Sequence, residues 1–215
     1  MASRRLTPPA MSPLRSIGRI LVLGCLALAA ACAGQEENTD VDANTALKIA
    51  LLERGHRDQS VRDSVFGKGG ELDSAGMRWM QQVDMDNTQW LKELVAREGW
   101  PTTARVGAEA SKSAFLILQH ATHDPAFQRM MLDTISQGYA RGEVDGQSYA
   151  LLYDRVTVKS GGRQRYGTQA QIRGGRIVFD PIEDSSKVDS LRASVGLPSL
   201  AVYRRTLDSV YFRKK

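Results

Sequence analysis

His120 and His123 stand three residues apart in the run Gln119-His120-Ala121-Thr122-His123-Asp124, close enough on or near one helix to face a common point. With Asp124 beside them they suggest a metal. A metal site normally takes three or four ligands, however, and nothing else in the chain has a ligand-like pattern. Asp124-Pro125 reads better as a helix N-cap with proline in the first turn. The sequence therefore predicts neither a metal nor a cofactor. His120 alone fits a general base, with Asp154 as the carboxylate that orients it and Arg155 or Arg165 placed to hold an anionic transition state. A lone histidine at the end of an apolar helix is, however, more often simply hydrogen-bonded in the core.

A second cluster is Gly161-Gly162-Arg163-Gln164-Arg165-Tyr166-Gly167-Thr168-Gln169, which packs flexible backbone, cations, an aromatic ring and amides into nine residues. Backbone amides and arginine in such a loop can grip an anionic or sugar-like ligand, and Gln164, Tyr166 and Gln169 are its candidate contacts. The same loop is as easily explained as one tied to the core by its own polar side chains. It is not a P-loop, because no lysine followed by serine or threonine comes after the glycines. No serine sits in a G-x-S-x-G setting, so a serine-hydrolase elbow is unsupported.

These groups depend on the helices that carry them. From Leu47 to Phe66 apolar residues recur at helical spacing, and Asp58 falls on that stripe with Arg62 four residues on, within pairing distance. A helix over about 75–98 places Met77, Met80, Leu91 and Leu94 inward, with Asp84 and Asn87 interrupting the apolar side, and Gly99-Trp100-Pro101 stops it. Residues 109–121 contain Ala114-Phe115-Leu116-Ile117-Leu118, apolar all round, which predicts a helix buried among the others, followed directly by Gln119 and His120. Further helices are expected from Pro125 through Ile135, over about 145–159, over 186–195, and from Pro198 to about Tyr211. Gln169–Arg173 and Arg176–Asp180, joined by Gly174-Gly175, read as a hairpin that must pack on something to be stable. The expected architecture is mainly α, a single compact helical domain of about six helices over residues 45–212, with one small β-hairpin.

Polar groups on inward faces are costly unless partnered. Asp58, Arg62, Asp84, Asn87, Gln119, His120, Asp154 and Arg155 must therefore satisfy one another as a buried network or line a pocket.

The N-terminus carries a different signal. Residues 1–19 hold Arg4, Arg5, Arg15 and Arg19 with no acidic residue, and Ile20 to Ala31 are apolar or small, ending at Ala29-Ala30-Ala31-Cys32. A basic end, a short apolar core and a small-residue cleavage site make a secretory signal, too short for a membrane-spanning helix. The residues before Cys32 resemble a lipobox, which predicts a signal over 1–31, lipidation of Cys32 and a polar tether over 32–44. Acyl chains would then hold the protein on the cell envelope, and Ala33 in place of aspartate favours the outer membrane if there are two. The chain has 29 basic and 24 acidic residues, but four of the basic ones belong to the signal. The remainder is nearly balanced, which removes the compositional support for nucleic-acid binding. Apart from Cys32 no cysteine remains after cleavage, so a disulfide or thiol mechanism is excluded.

Taken in order, Asp58-Gln59-Ser60-Val61-Arg62, Asp84 with Asn87-Thr88, Gly99-Trp100-Pro101-Thr102, Gln119-His120 with His123-Asp124-Pro125, Gln128, Asp154-Arg155-Val156, Gln164 with Tyr166-Gly167-Thr168-Gln169, Pro181-Ile182-Glu183-Asp184, Arg192 and Gly196-Leu197-Pro198 resemble an uncharacterised bacterial family, the domain of unknown function 6624. The resemblance runs from about Leu47 to Leu207 and implies membership without a reaction. Its motifs fall on the positions that helical periodicity turns inward. Three functions follow: a binding module for a small polar or anionic ligand or a partner segment, a hydrolase or transferase using His120, or a structural domain whose polar motifs only specify the fold.

Overall fold

The computed structural model describes the backbone of residues 21–66 and 74–212 and the side chains of residues 41–66 and 74–212. By internal contacts the chain divides into two units, residues 1–43 and 44–215. The expected signal and Cys32 lie outside the residues whose side chains are described. Helix α1 (Leu21–Phe66) has helical backbone through residues 33–44, the stretch read as a tether. That stretch contains no proline and leads into Ala46-Leu47-Lys48, good helix formers. No helix among the described residues is long and apolar enough to cross a membrane.

Within the second unit, α1 is followed by α2 (Ser74–Glu98), the short α3 (Thr103–Val106), α4 (Ala108–His120), α5 (Pro125–Ala140) and α6 (Gly146–Lys159). The hairpin β1 (Ala170–Arg173) and β2 (Arg176–Phe179) comes next, then α7 (Val188–Ser194) and α8 (Leu200–Phe212). The described residues thus form a mainly helical fold with one small antiparallel sheet, and α3 is the element the periodicity did not announce. It fills one turn between Pro101 and Gly107, too short for a repeat to register.

Local signals explain the boundaries. Pro125 opens α5 while the Asp124 carboxylate accepts the Phe127 amide at 3.0 Å. Asp145 does the same for α6, accepting the Ser148 amide at 2.8 Å and the Ser148 hydroxyl at 2.7 Å. Such caps satisfy amides that the first helical turn leaves without partners. In the hairpin Ala170 faces Phe179 and Arg173 faces Arg176. Gly174 and Gly175 both have positive φ, the conformation a two-residue turn of this hand demands and glycine tolerates. The hairpin rests on α8: Arg204 Nη1 donates to the Ile177 carbonyl at 2.8 Å, and Phe179 lies 6.0 Å from the Tyr203 ring.

Helix α4 is the centre of the core, burying Ala110, Ala114, Phe115, Ile117 and Leu118 against Leu51 of α1, Leu91 and Leu94 of α2, Met131 of α5 and Leu152 of α6. Each such leucine or isoleucine contributes about 1.5–3 kcal/mol by leaving water. The contact of α1 with α4 is close enough to require a missing side chain. A Cβ at Gly55 would lie 2.5 Å from the Ser113 hydroxyl oxygen and 2.7 Å from the Ser113 Cβ. On α2 the buried face is Val83, Asn87, Thr88, Leu91 and Leu94. Met77, expected inside, is exposed and borders a surface cleft, because the buried face of α2 begins only at Val83.

Candidate functional site

One turn beyond Gly55 on α1 is Asp58, wholly buried, and at the end of α4 is His120, with about a fifth of its side chain exposed. The two are hydrogen-bonded, His120 Nδ1 lying 2.9 Å from Asp58 Oδ2 and 3.0 Å from Oδ1. A carboxylate can only accept here, so Nδ1 carries the hydrogen, and in the neutral form of the ring the lone pair falls on Nε2. Among the described residues nothing is hydrogen-bonded to Nε2. Asp58 also accepts Gln59 Nε2 at 2.7 Å and Arg62 Nη1 at 2.8 Å. Arg62 continues across to α2, where Nη2 meets Asp84 at 2.7 Å. Asp84 lines a cleft of about 350 Å³ with Met77, Met80 and His123.

Asp58, Asp84 and His120 each offer a ligand atom within 4.8 Å of the others, the spacing of a metal-binding set. Arg62 already stands between the two carboxylates and supplies positive charge there. The imidazole therefore groups with residues of α1 and α2. His123, its neighbour in the sequence, is exposed on the cleft wall. Asp124 is engaged as the cap of α5 and by Lys92 at 2.7 Å, contacts that hold its carboxyl below the usual carboxylate range, with the Lys92 hydrogen bond contributing most.

The end of α4 is fixed from two further helices. Buried Gln128 of α5 donates to the Leu118 carbonyl at 3.0 Å and the Gln119 carbonyl at 3.1 Å. Arg155 of α6 also donates to the Gln119 carbonyl, placing a cation at the negative end of the helix. The Arg155 Nε reaches Gln169 Oε1 at 3.3 Å. Burial pulls the Arg155 guanidinium below its ordinary value, aided by the charge of nearby Arg62 and opposed by Tyr203. Arg155 and Gln169 border a second cleft of about 350 Å³ between the hairpin and α8, while Gln119 lines a larger one of about 470 Å³ between α4 and α6.

Asp154, expected to orient His120, serves another purpose. Fully buried on α6, it accepts the amides of Arg165 at 2.7 Å, Tyr166 at 3.1 Å and Thr168 at 3.0 Å, and the Thr168 hydroxyl at 3.0 Å. Those bonds occupy its carboxylate and shape the loop of residues 164–169. The carboxylate on His120 is Asp58, which α1 delivers to the same end of α4.

Gln164 and Tyr166 also turn inward rather than into a cleft. Gln164 is wholly buried, donating to the Gln169 and Asp180 carbonyls and accepting the Gln169 amide at 2.8 Å. Tyr166 packs edge-on against Tyr149 and Tyr153, and Tyr149 stacks on Tyr139 at 4.7 Å. Burial pushes the Tyr166 phenol up to about 12. On the far side of the loop Arg192, wholly buried, donates to the carbonyls of Tyr166 at 2.6 Å, Gly167 at 3.1 Å and Pro198 at 2.6 Å. Asn87 accepts Arg54 Nη1 at 2.9 Å; its amide nitrogen and the neighbouring Thr88 hydroxyl are buried without partners among the described residues.

Of the expected residues, the structure gathers Asp58, Arg62, Asp84 and His120 directly and brings Gln119, Arg155 and Gln169 to the same end of α4. It assigns Asp154, Gln164 and Tyr166 to the neighbouring loop. The sequence does not mark Arg192 and Gln128 as partners, since their contacts are to backbone carbonyls, nor Thr168, whose partner is the Asp154 carboxylate on another element.

Comparison with known proteins adds one finding. A family model described as a family of unknown function (DUF6624) matches residues 45–215. No curated protein and no solved structure matches the chain.

Proposed function

The chain belongs to that family, DUF6624, whose description names no activity, and from the geometry of its site we propose a proton-transferring function on a small polar or anionic molecule, of the kind used in hydrolysis or group transfer. The observation that carries this is the Asp58–His120 pair. A buried carboxylate that fixes Nδ1–H holds the ring in one tautomer, leaves Nε2 as the base and stabilises the imidazolium once the proton has moved. His120 keeps enough exposure to meet a ligand, and Arg62 neutralises the second carboxylate beside it. Among the described residues no serine or threonine hydroxyl is hydrogen-bonded to His120, so the proton would come from the bound molecule or from water.

The experiment is a turnover screen with nitrophenyl esters, phosphate monoesters and phosphate diesters on the full chain, beside His120→Gln and Asp58→Asn. Turnover that both substitutions abolish supports the reading. Turnover indifferent to His120→Gln overturns it, and saturable binding with no turnover leaves a binding module in its place, a reading favoured by the clefts that Asp84, Gln119 and Arg155 line. We also propose, from the N-terminal sequence, that the domain works at the bacterial envelope, anchored through a lipid on Cys32. Metabolic labelling with an alkynyl fatty acid should mark the chain and fail to mark Cys32→Ser.

A further inference from the structure

The cleft between the hairpin and α8 has an arginine at its wall that the protein only partly satisfies. Arg155 offers five N–H donors. Nε is taken by the Gln169 side chain and Nη1 by the Gln119 carbonyl, both uncharged acceptors. Among the described residues Nη2 has no hydrogen-bond partner, and no carboxylate lies within ion-pair distance of the guanidinium. Nη2 is not sealed either, for the buried polar atoms left without partners are Asn87 Nδ2, Thr88 Oγ1 and Trp100 Nε1.

Other arginines on this side of the molecule differ in one respect or the other. Arg62 is matched by two carboxylates, and buried Arg192 is matched by three carbonyls and by the Tyr203 ring 4.9 Å away. A half-buried guanidinium with an open edge is expensive to keep unless something negative meets it. The charge of Arg62 nearby strengthens the local positive field.

We propose that this cleft is an anion subsite, in which Arg155 grips the carboxylate or phosphate of a small ligand whose apolar portion lies along Ile172, Ile177, Leu207 and Tyr211. At about 350 Å³ the cleft sits at the lower end of the range for small-molecule sites. Guanidinium is suited to both anions because its planar donors match pairs of oxygen atoms. Arg155 is bonded to the carbonyl of Gln119, the residue before His120, which ties the cleft wall to the end of α4 that carries the imidazole. The proposal rests on the proton-transfer reading for its sense as a substrate class, while the binding itself stands apart from it.

The test is titration of the full chain, followed by NMR or calorimetry, with benzoate, phenyl phosphate, inorganic phosphate and neutral benzamide. Saturable binding of benzoate or phenyl phosphate is expected, with benzamide at least tenfold weaker. The two anions identify whether carboxylate or phosphate is preferred, and inorganic phosphate tests the need for an apolar portion. Arg155→Gln should weaken binding tenfold or more. Because that substitution also cuts a tie between α6 and α4, Ile172→Asp is the companion: it puts a carboxylate at an exposed position on the cleft wall and should weaken both anions similarly without unfolding the domain. No saturable binding of either anion, or binding unchanged in both variants, overturns the proposal. His120→Gln separates the two readings: it should keep anion binding, so lost turnover with no anion site leaves the histidine pair standing, and an anion site without turnover leaves the cleft.

Discussion

Asp58 and His120 are 62 positions apart in the chain and 2.9 Å apart in space, joined because α1 and α4 approach each other where Gly55 lacks a side chain. That approach decides which carboxylate serves the imidazole. It also gives the two residues different expected costs under mutation.

Asp58→Asn leaves Arg62 with one carboxylate instead of two and removes the charge that faces the imidazole. Breaking a buried ionic arrangement from one side costs roughly 3–5 kcal/mol, to be read from urea unfolding. His120→Gln, at a partly exposed position, should cost only about 1 kcal/mol. Equal losses for the two would mean that Asp58 is not the keystone of the cluster.

Asp154→Asn should be destabilising by a different route. An amide can replace only some of the four bonds the carboxylate accepts from residues 165–168, and buried amides left unpaired cost about 1–3 kcal/mol each. Hydrogen exchange at Arg165, Tyr166 and Thr168 should quicken. The rate at which diethyl pyrocarbonate modifies His120 should stay as it is; a change there would tie Asp154 to the imidazole after all.

Gly55→Ala drives a Cβ to 2.5 Å from the Ser113 hydroxyl. Overpacking of this kind typically costs about 1–3 kcal/mol. Since the Ser113 Cβ is itself only 2.7 Å from the new atom, Ser113→Gly in the same chain should recover much of the loss. A melting series of the two single variants and the double one measures the coupling, and additive effects would contradict the contact.

Alkali should reveal the tyrosine cluster. Burial favours the neutral phenol of Tyr166, raising it from 10 to about 12, and raises Tyr149 and Tyr203 as well. For a group raised on folding, its contribution to stability is complete below the unfolded value and declines as pH climbs from 10 toward 12. Ultraviolet titration of the six tyrosines should show a late-ionising subset, and Tyr166→Phe should remove one member of it. Titration of all six together near pH 10 in the folded protein would refute the burial.

Much of the fold is legible in the sequence because its signals are local. Asp124-Pro125 and Gly174-Gly175 act through neighbours within a few residues, and the apolar run of α4 announces a central helix whatever surrounds it. The inward turn of Asp58, Asp84 and His120 is also written in helical period. Their pairing is not, since Asp58 and Asp154 look alike from the chain and only the crossing of α1 over α4 distinguishes them. The loop after α6 misleads for a related reason. Gln164 and Tyr166 have the composition of a ligand grip, yet their partners are carbonyls, amides and rings that carry no residue signature.

The last turn of α4 is held by Gln128 from one helix and Arg155 from another, immediately before the histidine. With its backbone so held and Asp58 on the ring, the imidazole has little freedom to swing toward a guest, and a molecule that used it would have to arrive already aligned. Selectivity would then come from rejecting poor fits at the doorway, with small losses of motion on capture and little tolerance for bulkier analogues.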